Sequence, residues 1–294
     1  MTIRLLLFAI VLTLLASALS GSEASLGADS LKWHADYGSA YAAAKQQKKM
    51  LLIHFAAKKD DKFDQEFQAT IATPEIAELL QTFTLVRLPV AYEVTIDGEA
   101  MGLLGHPAFA ALGENAGLAL IDLRDEESDH YGHTVSAVPF QQIGYYAPSP
   151  ASVSAVRTLL HLPAGSITQR SMIYAVRLHP EKPASTNGSA EPYLFSEAAG
   201  HSAYMARTGV QGHQGFDSRF QRIVSKLGMG GAKEVCAESW PGEAMLPACF
   251  SCVHSWRQSQ GHWEGVSGTH SAYGYDIRRG ASGIWYATGL FAGW

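Results

Sequence analysis

Cysteine is nearly missing from this chain of 294 residues: there are three, and none precedes position 236. That excludes a disulfide-dense scaffold and denies the first 235 residues any thiol chemistry. Long apolar runs are equally scarce. After residue 15 no stretch approaches the ~20 consecutive apolar residues that a membrane-spanning helix needs. Charge is thin as well, with charged residues at 17% and a formal net charge of −5. Neither half is basic enough to form a nucleic-acid surface. Residues 25–160 carry ten basic against seventeen acidic side chains, and residues 161–294 carry eleven against nine. This change of balance marks a boundary near residue 160.

The N-terminus sets an expected compartment. Arg4 precedes an apolar run over residues 5–15, and small residues follow, with Ala16-Ser17-Ala18 or Ser22-Glu23-Ala24 as cleavage sites. Residues 1–24 therefore read as a signal peptide, and the expected location is secreted or periplasmic. An uncleaved N-terminal anchor is the alternative. Roughly 270 residues remain, enough for two domains. A hydrophobic fraction of 47% and six tryptophans can supply packed cores.

In the first half Trp33, Tyr37, Ala40, Tyr41 and Ala44 recur at helical spacing. The apolar run 50–57 reads as a buried strand, 63–67 and 74–80 as helices, and 83–88, 117–123 and 134–138 as strands. Residues 149–160, with Pro150 in the first turn, read as a closing helix. Alternating strands and helices predict an α/β sheet layered with helices. The order of these elements, with Trp33-x3-Tyr37-x2-Ala40-Tyr41-x2-Ala44 leading into the strand at 50–57, resembles a thioredoxin-like domain over residues 31–162. The redox centre of that family is absent. Where a low-pKa thiolate would start the next helix, the chain has Lys58-Lys59-Asp60-Asp61-Lys62, a solvated charge cluster; where the cis-proline would stand, it has Ala116-Gly117. The expectation is a redox-inactive scaffold or interaction module.

The stretch 162–165, Leu-Pro-Ala-Gly, breaks the pattern. Helices are predicted over 168–178 and about 193–207, with a Pro/Ser/Asn/Gly-rich loop between them. Then come His201-Ser202-x2-Met205-Ala206, Gly212-His213, Phe216, Glu234, Trp256-Arg257-x-Ser259-x-Gly261-His262 and a terminal Ile284-Trp285-Tyr286-Ala287-Thr288-Gly289. In that order and spacing they resemble the bacterial SCP-like branch of the CAP superfamily over residues 167–294. The resemblance implies an α-β-α sandwich, a small antiparallel sheet between helical layers, with its last strands at 273–277 and 283–292 and a turn at 278–282.

It also implies a shallow cleft of histidines and carboxylates that holds a divalent metal, zinc being the natural candidate, in some members. Matched position by position, His213 and Glu234 are the metal-ligating pair, and His201 and His262 enlarge the ligand-binding cleft. The chain departs from the eukaryotic pattern at Ser259, where a second glutamate would stand, and at Ile284-Trp285-Tyr286, where a second histidine would stand. Read without the resemblance, His201 shares a helix face with Met205 and suits a half-buried, hydrogen-bonded role. His262 after Gly261 suits a helix C-terminus, and His254 and His270 read as surface residues.

Cys236, Cys249 and Cys252 all lie in the second half, and in an oxidising compartment Cys236 to Cys249 or Cys252 is the default disulfide. Pairing of Cys249 with Cys252, or a structural zinc using Cys236 and His254, are the alternatives. No Gly-x-Ser-x-Gly turn marks a nucleophile, so Ser202, Ser255 and Ser259 carry no triad reading. Trp240 and Trp263 sit in turns, where they could line a groove for a glycan or lipid headgroup. The resulting expectation is an exported, non-catalytic binding protein that engages a small ligand, an envelope component or a protein partner. The alternative is a metal-dependent hydrolase acting on peptides or envelope polymers, with Glu234 as base.

Overall fold

The computed structural model describes residues 31–57, 61–96 and 98–293. The expected signal segment and Lys58, Lys59 and Asp60 of the charge cluster lie outside them. Among the described residues no helix is long and apolar enough to cross a membrane.

The chain is a mixed α/β structure built on two sheets and a hairpin. The first half supplies β1 (Trp33–His34), α1 (Tyr37–Gln47), β2 (Leu51–Ala56), α2 (Lys62–Ile71), α3 (Pro74–Leu80), β3 (Thr84–Pro89), β4 (Glu93–Ile96), β5 (Glu99–Gly102), β6 (Gly117–Ile121), β7 (Thr134–Pro139) and α4 (Val153–Leu160). Five strands form one sheet in the order β1-β3-β2-β6-β7. β1, β3 and β2 run parallel, whereas β6 and β7 join antiparallel. β2 is buried over Leu51 to Phe55, as a central strand covered on both faces must be.

Capping fixes where the helices start. Trp33 belongs to β1, and α1 begins only at Tyr37 because the Asp36 carboxylate accepts the Ser39 N–H at 2.7 Å. The closing helix starts at Val153 rather than 149, since Ser152 takes the cap position and leaves Pro150 outside. The β4–β5 hairpin was not expected from the sequence.

α5 (Ile167–Arg177) opens the second half with a capping box, Ser166 and Gln169 satisfying each other's backbone N–H. Residues Thr168 to Val176 are all buried because the helix packs on β7 on one side and on β10 (Ala272–Arg279) and α8 (Met245–Arg257) on the other. Arg170 is buried in that layer. Its Nε donates to Ser136 Oγ on β7 at 2.8 Å, and Nη1 donates to the carbonyls of Leu162 and Pro163. One apolar core therefore runs from Leu52 and Leu120 through Met172 and Phe250 to Phe291.

The second sheet has the order β8-β10-β11-β9, from β8 (Ser189–Ala190), β9 (Ala232–Glu238), β10 and β11 (Trp285–Ala292). β9, β10 and β11 pair antiparallel, and β8 runs parallel to β10. α6 (Pro192–Thr208) and α7 (Phe216–Leu227) cover one face; α5, α8 and α9 (Gln260–Ser267) cover the other. α6 lies so close to β10 that a Cβ on Gly274 would sit 2.4 Å from the Leu194 carbonyl carbon. Only glycine fits there. The final hairpin falls where the sequence placed it, with β10 two residues longer at the turn end and β11 two residues shorter.

Candidate functional site

Glu234 stands in β9, and its side chain has no exposure to water. Alternation along β9 sends Glu234 and Cys236 to the α6/α7 face and Val235 and Ala237 to the α5/α8 core. A buried carboxylate must be paired. Arg219 of α7 meets that need: its Nε donates to Glu234 Oε2 at 2.6 Å.

The other oxygen, Oε1, faces the histidines. His213 Nδ1 lies 3.0 Å from it and His201 Nε2 3.8 Å. Cys236 Sγ lies 3.7 Å from His213 Nδ1. His201 comes from α6 and donates Nε2–H to the Gly212 carbonyl at 2.8 Å. His213 comes from the short α6–α7 connection, which turns through Gly215 at φ 70°, the N-cap of α7. That left-handed conformation favours glycine. His262 Nε2 lies 3.3 Å from His213 Nε2, with the rings stacked at 5.5 Å. Because the Glu234 carboxylate only accepts, His213 presents Nδ1–H to it and accepts at Nε2 from His262. The result is a chain from a buried carboxylate through two imidazoles toward solvent. A cleft of about 550 Å3 between α6 and α7 has His201, Tyr204, Gln214 and Arg219 in its walls.

Burial depresses the pKa of His201, the Glu234 charge opposing only part of it. Burial and the neighbouring His213 depress that of His262. Burial pushes the Cys236 thiol well above its ordinary range, and the Glu234 charge adds to the effect. Without a cation the thiol stays protonated.

The structure thus brings all four expected cleft residues, His201, His213, Glu234 and His262, into one connected cluster. Two details differ. His262 lies in the first turn of α9, after Ser259, rather than at a helix C-terminus. His201 is fully engaged with a backbone carbonyl, as the reading without the resemblance expected. Two participants were missed, Arg219 and Cys236. Arg219 sits on the apolar stripe of Phe216, Phe220, Ile223 and Leu227, so a charged residue on the buried face of a helix was the available signal.

The disulfide expectation does not hold. All three cysteines are free, buried thiols. Cys236 packs with Met205 and Tyr286 on one face of the sheet, while Cys249 and Cys252 of α8 belong to the core on the other. The sheet itself separates Cys236 from the other two. His270 is not a surface residue but is buried and stacked on Phe291 at 4.6 Å. Trp263 lies in α9, donates Nε1–H to Glu181 at 3.1 Å and carries Arg257 over its ring. Ser202 Oγ donates to the Asp276 carbonyl at 3.1 Å and lies 3.0 Å from Thr288 Oγ1, a link from α6 to β10 and β11.

The donor set fits a metal of borderline softness. One ligand atom each from His201, Glu234 and Cys236 lie within 4.8 Å of one another. Bonds of about 2.0–2.3 Å at tetrahedral angles place neighbouring zinc ligands roughly 3.3–3.8 Å apart. Within that group His201 Nε2 and Glu234 Oε1 are 3.8 Å apart, and His213 Nδ1 beside it lies 3.7 Å from Cys236 Sγ and 3.0 Å from Glu234 Oε1. The chain matches no family model, no curated protein and no solved structure.

Proposed function

We propose that this chain is an exported, non-catalytic binding protein whose His/Glu cluster takes a divalent ion of the zinc type. The domains follow the two resemblances: a redox-inactive thioredoxin-like scaffold over 31–162 and an SCP-like CAP domain over 167–294. Supporting the first is a sheet of three parallel strands extended by two antiparallel ones. Supporting the second is a four-stranded sheet between two helical layers. The observation that carries the function is Glu234 Oε1, a fully buried carboxylate oxygen faced by two imidazoles and close to a thiol. Arg219 occupies the other oxygen, so the carboxylate would be a one-oxygen ligand. His213, Glu234 and Cys236 would hold the ion first, and His201 would join by giving up Gly212. The ion's chemistry there is charge: it would draw the proton from Cys236 and fix the orientation of the His213–His262 pair.

Cobalt(II) substitution tests this. The expected spectrum contains a thiolate-to-metal charge-transfer band that Cys236→Ser abolishes and His213→Ala weakens. A spectrum without that band, or one unchanged in both variants, rejects the assignment. Because the thiol and histidines must shed protons, zinc uptake should rise with pH between about 5 and 8.

A metal-dependent hydrolase is the second reading, favoured by the same donor cluster, since three protein ligands leave one position for water. It requires hydrolysis of a peptide or envelope polymer that a chelator abolishes and zinc restores. Metal-loaded protein without hydrolysis leaves the binding role.

A further inference from the structure

A second site lies away from the Glu234 cluster. Among the described residues four large hydrophobic side chains are exposed, and two of them, Tyr145 (45%) and Trp240 (69%), share one cleft of about 440 Å3. That volume is within the range of small-ligand pockets, about 300–1,000 Å3. Neither ring is on a loose segment. The loop between β9 and α8 is pinned around Trp240. Its N–H donates to the Glu243 carboxylate at 3.1 Å, its carbonyl accepts from Ser239 Oγ at 2.9 Å, and the Ser239 N–H donates to the Trp285 carbonyl at 2.8 Å. Tyr145 is held at φ 54°, in a left-handed conformation that a bulky side chain rarely adopts. Its hydroxyl donates to Ser251 Oγ at 3.1 Å, and its ring packs 5.0 Å from His254. Strain of this kind persists where the surroundings fix it, commonly at a site that binds something.

The chemistry between the rings narrows the occupant. Glu238, Ser255 and Gln258 line the cleft with His254, and among the described residues no Lys or Arg does. An anionic headgroup would meet Glu238 with no cation to answer it. A purely apolar ligand would leave the carboxylate, the hydroxyl and the amide without water or partner. A neutral molecule with hydroxyls at its edge and C–H groups on its faces satisfies both sets. The weakly positive C–H face lies on the negative face of an aromatic ring, while the edge hydroxyls bond to Glu238, Ser255 and Gln258. We infer that this cleft binds a neutral glycan, one pyranose ring stacked on Trp240 and flanked by Tyr145.

The test uses the full chain and three neutral trisaccharides, maltotriose, cellotriose and triacetylchitotriose, followed by tryptophan fluorescence and calorimetry. At least one should give a saturable shift at micromolar to millimolar concentration. Trp240→Ala, which removes an exposed side chain and leaves packing intact, should weaken it about tenfold or more. Tyr145→Gly should raise the melting temperature, by relieving the left-handed strain, and weaken sugar binding. His213→Ala should leave sugar binding unchanged, which separates this site from the cation cluster. The inference is overturned if none of the three sugars binds at millimolar concentration. It is equally overturned if Trp240→Ala binds as the wild type does, or if Trp240 instead mediates binding to phosphatidylcholine vesicles.

Discussion

Glu234 and Arg219 hold each other's charge where neither could stay alone. Breaking one side of a buried pair leaves an uncompensated charge, which costs about 3–5 kcal/mol. Arg219→Ala and Glu234→Gln, each of which leaves its partner's buried charge unanswered, should therefore each lower unfolding stability in urea by that order. A negligible loss in both variants would mean the pair is not the determinant. Protonation gives a second test. His54, His201 and His270 are buried, and burial depresses each folded pKa below the unfolded value near ~6.5. The unfolded chain then binds more protons in this range, so stability rises with pH. Their contribution is present above about pH 6.5 and lost as pH falls toward the lowered folded values. Chemical denaturation at pH 7.5 and pH 5.5 should show the lower stability at pH 5.5, and the reverse order would contradict the burial of these groups. At this scale the resemblance paired His213 with Glu234, and the structure places Nδ1 of one 3.0 Å from Oε1 of the other. Cys236 was misread because sequence spacing carries no information on which face of a sheet a sulfur occupies.

The elements explain why the sulfurs stay apart. β9 points Cys236 toward α6, and α8 lies across the opposite face with Cys249 and Cys252. Burial pushes all three thiols upward, so they should be unreactive in the native state. Ellman's reagent should detect almost no thiol in folded protein and three per chain after denaturation, and reductant should leave the melting temperature unchanged. Fast native labelling or a reductant-sensitive melting point would count against it. The approach of α6 to β10 is equally specific. Gly274→Ala forces a methyl into the Leu194 backbone and should cost about 1–3 kcal/mol, as overpacking does. A neutral effect would show that the two elements do not lie this close. Periodicity located α5 and α6 to within a few residues. It did not reveal the β4–β5 hairpin, and α7 was overlooked although Phe216, Phe220, Ile223 and Leu227 mark its apolar stripe.

Across the whole molecule α5 ties the halves together. The composition change near residue 160 and the break at Leu162-Pro163-Ala164-Gly165 were visible, but a break in pattern says nothing about what packs across it. Arg170 reaches Ser136, and Met172 and Val176 share a core with Leu120 and Val135. The two halves should therefore unfold in a single thermal transition, and two well-separated calorimetric peaks would contradict the shared core. A ligand that binds only the folded chain raises that transition by mass action, by about 2.7 kcal/mol at a hundredfold excess over its dissociation constant. The most direct test of the central claim is thus the melting temperature of the full protein with and without stoichiometric-excess zinc, alongside His213→Ala. The account expects a clear upward shift in the wild type and little or none in the variant. No shift in the wild type, or an equal shift in both, would contradict it.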